Sequence, residues 1–169
     1  MEFNDLITER YSVRAYKPDA VEDEKLRRVL EAARMAPTAA NRQPFRLVVI
    51  HTAGRQEELR RIYKAEWFVQ APIVICACGV PEQAWTRWDG RSYLDVDVAI
   101  VMDHLILSAA NEGLGTCWIG AFDLAAAREV LGIPENVEPI VFTPLGYPAD
   151  EPREKTRKAM GDIMLYETY

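Results

Sequence analysis

The chain has 169 residues, 49% apolar and 27% charged, a balance that fits one soluble domain over residues 1–169. Its formal net charge of −6 excludes a general attraction to nucleic acid or to anionic membranes, so clustered basic residues read as a local anion site. Three cysteines and two histidines, with no zinc-ligand spacing, exclude a disulfide framework and a histidine-rich metal centre.

In chain order, Phe3 to Glu9 reads as a short helix. It is followed by Arg10-Tyr11-Ser12-Val13-Arg14, whose alternation puts Arg10, Ser12 and Arg14 on one side of an extended segment. Two guanidinium forks and a hydroxyl suit a phosphate, although a solvated polar strand would read the same way. A second helix is expected from Glu22 to Ala36, with Leu26, Val29, Leu30 and Ala33 on one face and Pro37 ending it. In the loop from Ala36 to Phe45, small residues would let the backbone approach a flat ligand, and Thr38 and Asn41 offer hydrogen bonds. The same composition serves a plain helix-to-strand connection.

Phe45 to Ile50 reads as a buried strand, Arg55 to Ala65 as a helix, and Pro72 to Cys78 as another buried strand. Cys76 and Cys78, two apart, share one face as small apolar residues. Val80 to Arg91 is the least regular stretch; its Trp85 and Trp88 could stack on an aromatic substrate or pack structurally. The helix from Ser92 to Asn111 is apolar almost all round, which predicts a central position. Its longest apolar run, Val98 to Met102, is too short to span a membrane. Asp97, His104, Ser108 and Asn111 form one narrow stripe, but Asp97 and His104 are separated by roughly 10 Å of helix rise, too far for a dyad.

Gly113-Leu114-Gly115 looks like the start of a dinucleotide fingerprint, yet position 118 is Trp and the segment follows a helix. A helix end using glycine's left-handed conformation is the better reading. Asp123 is placed to cap a helix that stops at Gly132, with Pro134 beyond. Val137 to Leu145 is the last clear strand, and Lys155-Thr156-Arg157-Lys158 opens a basic tail. The order of elements, with short connections and no repeat, predicts an α+β domain with a sheet packed on helices.

HExxH, GxSxG and GxxxxGK[ST] motifs are absent, and no side chain stands out as a catalytic acid, base or nucleophile. Met1-Glu2-Phe3-Asn4-Asp5 lacks the basic-then-apolar pattern of a signal peptide, and the unpaired cysteines suit a reducing cytoplasm.

Taken in order, several segments resemble the nitroreductase family of flavin enzymes. They are Arg10 to Arg14, Ala36 to Phe45, the strand Ala71-Pro72-Ile73-Val74-Ile75, Asp97 to Phe122, and Pro144-Leu145-Gly146-Tyr147-Pro148 before the basic tail. The resemblance implies an α+β sandwich with a central, mostly antiparallel sheet, forming an intertwined homodimer with FMN at its interface. It implies that Arg10, Tyr11 and Ser12, with Lys155 and Arg157, hold the phosphate end of FMN, and that Arg14 lies near the N1/O2 edge of the ring. Pro37, Thr38, Ala39 and Asn41 would come from the partner subunit, and backbone groups around Ile119 and Gly120 would face the N5/O4 side.

The implied activity is hydride transfer from NADH or NADPH, through FMN, to an electron-poor small molecule such as a nitroaromatic or quinone. That exchange needs positioning and electrostatics more than an acid–base side chain. A specialised flavin enzyme of the same fold (a reductive dehalogenase or peptide-ring oxidase) and a non-catalytic FMN-binding protein are the alternatives. Trp85 and Trp88 are the expected substrate contacts, in a segment that is short where the family carries a covering insertion.

Overall fold

Strand β2, Ile73–Gly79, runs through the middle of the molecule, and all seven of its residues are buried. Its composition explains this: the β-branched and small residues of Ile-Val-Ile-Cys-Ala-Cys-Gly suit a strand covered on both faces. The computed structural model describes residues 1–169. On one side of β2 lies β1, Phe45–His51, and on the other β4, Glu138–Gly146, which in turn pairs with the two-residue β3, Gly115–Thr116. The order is β1-β2-β4-β3 and every pairing is antiparallel.

The pleat of β2 sorts the core into two layers. Ile73, Ile75 and Ala77 face a cluster built with Val29 and Ala33 of α2, Asp23–Arg34, and with Val98, Val101, Met102 and Leu105 of α5, Leu94–Asn111. Val74, Cys76 and Cys78 face the opposite cluster, which holds Leu59 and Ile62 of α3, Gln56–Ile62, Phe68 and Val69 of α4, Glu66–Gln70, and Ala126 and Ala127 of α6, Leu124–Leu131. A sheet with helices on both faces is the α+β sandwich that the sequence predicts. Cys76 and Cys78 do share one face, with their sulfurs 3.5 Å apart.

Helix boundaries follow the local chemistry. Asp123 accepts the Ala126 N–H at 2.9 Å, and Gly132 ends α6 at φ +63°. Gly113, at φ +74°, ends α5, and the Leu114 N–H returns to the Ala109 carbonyl at 2.8 Å. The helix expected over 55–65 stops at Ile62: the chain turns extended at Tyr63, and a separate short helix, α4, starts at Glu66. Tyr63 stacks edge-on against Trp67 and Phe68, at 5.5 and 5.6 Å, and this aromatic packing takes the place of a continued helix. No helix is long and apolar enough to cross a membrane.

Candidate functional site

Helix α1, Phe3–Glu9, delivers the first arm of the site. Arg10 follows it in an extended conformation, and the chain then runs along the sheet edge as an irregular strand. Ser12 bridges Thr116 in parallel, and the Val13 N–H donates to the Thr116 carbonyl at 2.9 Å. Val13 is buried, which leaves Ser12 and Arg14 on the opposite, open side. Gly115 makes the approach possible: a Cβ there would lie 2.6 Å from Val13 Cγ2.

The second arm leaves β4 and passes alongside the first. The Lys17 N–H donates to the Tyr147 carbonyl, and the Ala149 N–H to the Ala15 carbonyl, both at 2.9 Å. Tyr11 donates its hydroxyl to the Asp150 carbonyl at 2.7 Å, and the Arg14 N–H donates to Asp150 Oδ2 at 2.8 Å. Further on, Lys155 donates to the Thr8 carbonyl at the C-terminal end of α1, a favourable place for a cation.

Between the two arms lies a cleft of about 540 Å³. Arg10, Arg14, Arg153, Lys155 and Arg157 line it, together with Tyr11, Ser12 and Thr156. Three carboxylates, Asp150, Glu151 and Glu154, also line it, so the side chains leave an excess of two positive charges in a chain whose net charge is −6. None of the five cations enters an ion pair of the chain. Desolvation, and then the charges of Arg10 and Arg157, hold the Lys155 ammonium below its ordinary 10.5. Burial and then the Asp150 carboxylate push Tyr11 up to about 12, so it remains a neutral donor at physiological pH. Cations outside any ion pair and a hydroxyl on a concave wall suit a phosphate dianion.

The sequence-derived candidates therefore divide into two groups. Arg10, Tyr11, Ser12, Arg14, Lys155 and Arg157 are brought together from the two ends of the chain. Pro37, Thr38, Ala39 and Asn41 do not line that cleft; they lie at the end of α2, around a 3₁₀ turn over Ala39–Asn41. Ile119 uses both backbone groups on Phe142, at 2.9 and 3.0 Å, while Gly120 is exposed and has open space around its Cα.

Trp85 packs edge-on against Tyr93 at 4.9 Å, and Trp88 is 94% exposed at the tip of the same turn. The turn is well knit: Thr86 bridges Ser92, and Arg87 pairs with Asp89. His104 faces the Ile100 carbonyl at 3.1 Å, and Asp97 accepts the Ala39 N–H at 2.7 Å, so the polar stripe of α5 is structural bonding and not a dyad.

Sequence reasoning missed two residues. Asp150 joins the arms but lies in an unremarkable Pro-Ala-Asp-Glu stretch, and Asp97 reads only as one member of the polar stripe of α5, because its partner, the Ala39 N–H, lies on another element.

Comparison with known proteins bears on the family and the fold. A family model described as "Nitroreductase family" matches residues 7–68 and 57–147. The crystal structure of a nitroreductase family protein from Clostridium difficile 630 superposes with a TM-score of 0.90 at 40% identity, covering 100% of both chains. An Archaeoglobus fulgidus protein named "Putative NADH dehydrogenase/NAD(P)H nitroreductase" is 32% identical over 160 residues, covering 86% of this chain and 85% of its own. The Bacillus subtilis protein named "FMN reductase [NAD(P)H]" is 23% identical over 180 residues, covering 96% of this chain and 72% of its own.

Proposed function

Because this chain belongs to the nitroreductase family, we propose that it is an FMN-dependent oxidoreductase that draws hydride from NAD(P)H and reduces an electron-poor small molecule, such as a nitroaromatic or quinone. The observation that carries the reading is the cleft in which both ends of the chain present cations without acidic partners. FMN combines a phosphate with a flat ring, and when bound it supplies hydride acceptance and delivery. The residues present fit its phosphate end.

Binding falls to Arg10, Lys155 and Arg157, which line the cleft, and to the Ser12 hydroxyl, while Tyr11, whose one hydroxyl proton goes to Asp150, shapes the wall beside them. Arg14 places a further cation on the same wall, where it favours negative charge on whatever the cleft holds. Asp150 orients the wall, because its carboxylate is committed to the Arg14 N–H and the Tyr11 hydroxyl. No proton need be moved by a side chain in this scheme, and no histidine lines the cleft.

We read residues 1–169 as a single cytoplasmic domain that works as a homodimer. Two features support the dimer. Pro37, Thr38, Ala39 and Asn41 are separate from the cleft within one chain, so a second copy is needed to bring them to it. On the outer stripe of α5, Val96, Ile100 and Leu107 flank the exposed Asp103 and are only partly covered. Trp85 and Trp88 would then border the acceptor.

The test is the visible spectrum of the purified, FMN-reconstituted protein under anaerobic NADH or NADPH. A flavin spectrum that bleaches and returns on adding a quinone or nitroaromatic is expected. Bound FMN that does not bleach would make the protein a flavin binder, and failure to bind FMN would end the reading.

A further inference from the structure

Beyond the cleft, three of the chain's four non-glycine residues at positive φ fall in one loop; the fourth, Glu167, lies near the C-terminal end. Ala40, Asn41 and Gln43 have φ of +51°, +53° and +51°, and none is glycine. Such residues are strained and persist only where surrounding contacts over-determine them, typically at ligand clamps. The contacts here can be named. Thr38 Oγ1 accepts the Gln43 N–H at 3.0 Å, and the Gln43 amide turns back onto the Asn41 carbonyl at 3.2 Å. Arg42 donates to the Ala84 carbonyl at 3.1 Å, which ties the loop to the turn that carries Trp85.

The anchor of the loop is Asp97. It lies in the first turn of α5 and is 1% exposed, and its Oδ1 accepts the Ala39 N–H at 2.7 Å. Its Oδ2 is buried with no partner at all. A buried carboxylate with one orphan oxygen is expensive, and an apolar residue would pack there at lower cost. Packing alone therefore does not account for an aspartate at this position.

We propose that Asp97 is a positioning residue: through Ala39 it holds the strained Thr38–Gln43 loop in the one shape that presents its backbone to the flavin, and through Arg42 and Ala84 it sets the loop's distance from the Trp85 turn. The proposal rests on the FMN reading above, because it assigns the loop a ligand. Asp97 touches neither cofactor nor substrate in this account. It acts by preorganisation, which lowers the ordering cost that binding would otherwise meet.

Three variants test it: Asp97→Asn, which keeps an acceptor oxygen for Ala39, Asp97→Ala, which removes it, and Ala40→Gly, which relaxes the strain at an exposed position. The readouts are FMN affinity, the shape of the bound-flavin spectrum, and amide exchange at Ala39 in the FMN-free protein. Asp97→Ala is expected to bind FMN ~10- to 100-fold more weakly, with fast Ala39 exchange, the range for losing one hydrogen bond to a charged group. Asp97→Asn should stay within about threefold of wild type, which a demand for charge or helix capping would not allow. Ala40→Gly should keep its melting temperature within about 2 °C, because relief of left-handed strain offsets glycine's added freedom, yet lose FMN affinity roughly three- to tenfold.

Wild-type affinity and spectrum in Asp97→Ala would overturn the proposal. If that variant does not fold, unchanged affinity in Ala40→Gly would overturn it instead. Failure of the wild type to bind FMN would overturn the functional reading, while slow Ala39 exchange in Asp97→Asn and fast exchange in Asp97→Ala would still establish the clamp.

Discussion

The Arg14 backbone N–H donates to Asp150 Oδ2 at 2.8 Å, so an acidic residue fastens together the two arms of a cationic cleft. Two effects of that carboxylate oppose each other. Its charge repels a phosphate, but its hydrogen bonds set the spacing of the donors that would bind one. A screened like charge near the surface is worth less than about 1 kcal/mol, whereas a hydrogen bond from backbone to a charged acceptor is worth ~1.5–3 kcal/mol before a discount for exposure. The geometric effect should win.

Asp150→Ala is accordingly expected to weaken FMN binding by about fivefold, although it makes the cleft more positive. Fluorescence titration of the apoprotein measures this. Tighter binding would show that the carboxylate acts only through its charge.

Lys155 gives the cleft a pH dependence whose direction can be worked out. Burial and the neighbouring Arg10 and Arg157 lower its pKa in the folded chain below the ordinary 10.5. Between the lowered value and 10.5 the unfolded chain binds more protons, so this group's contribution to stability rises with pH across that window. Below the window, the charged ammonium is held at a cost that a bound phosphate would offset. FMN affinity should therefore fall as pH rises through the lowered pKa. Titrations at several alkaline pH values should show a steeper fall in wild type than in Lys155→Arg, whose guanidinium does not titrate there. Equal slopes would remove Lys155 from the phosphate site.

The two tryptophans of the Val80–Arg91 turn should behave differently. Trp85 packs on Tyr93, so Trp85→Ala is expected to lower stability by ~1–3 kcal/mol as well as to alter acceptor kinetics. Trp88 is almost wholly exposed, so Trp88→Ala should leave stability within about 0.5 kcal/mol and change only the kinetics with bulky aromatic acceptors. Thermal melts and steady-state rates across several acceptors separate the two; unchanged rates in both would assign the turn to structure alone.

What could be read from the sequence depended on whether the cause was local. Asp123 and Gly132 bracket α6 because capping and left-handed glycine are properties of single residues. The alternation of Arg10, Ser12 and Arg14 likewise survives as one face, since Val13 supplies the buried opposite side. The break at Tyr63 was not legible, because it depends on how three aromatic rings pack in the folded state. Nor was the strain at Ala40 and Gln43, residue types with no preference for positive φ; Asn41 alone carried a hint. Asp150 was hidden for a similar reason, as its partner Arg14 lies 136 residues away.

The most direct test of the account is a comparison of FMN with riboflavin, which lacks the phosphate, in the wild type, Arg10→Ala and Arg157→Ala. Hydrogen bonds to charged groups are worth ~1.5–3 kcal/mol, so each substitution should weaken FMN binding roughly 10- to 100-fold while leaving riboflavin affinity nearly unchanged. The wild type should bind FMN far more tightly than riboflavin, and that gap should narrow in both variants. Equal affinities for FMN and riboflavin in the wild type, or an undiminished gap in the variants, would contradict the assignment of the Arg10–Arg157 cleft as the phosphate site.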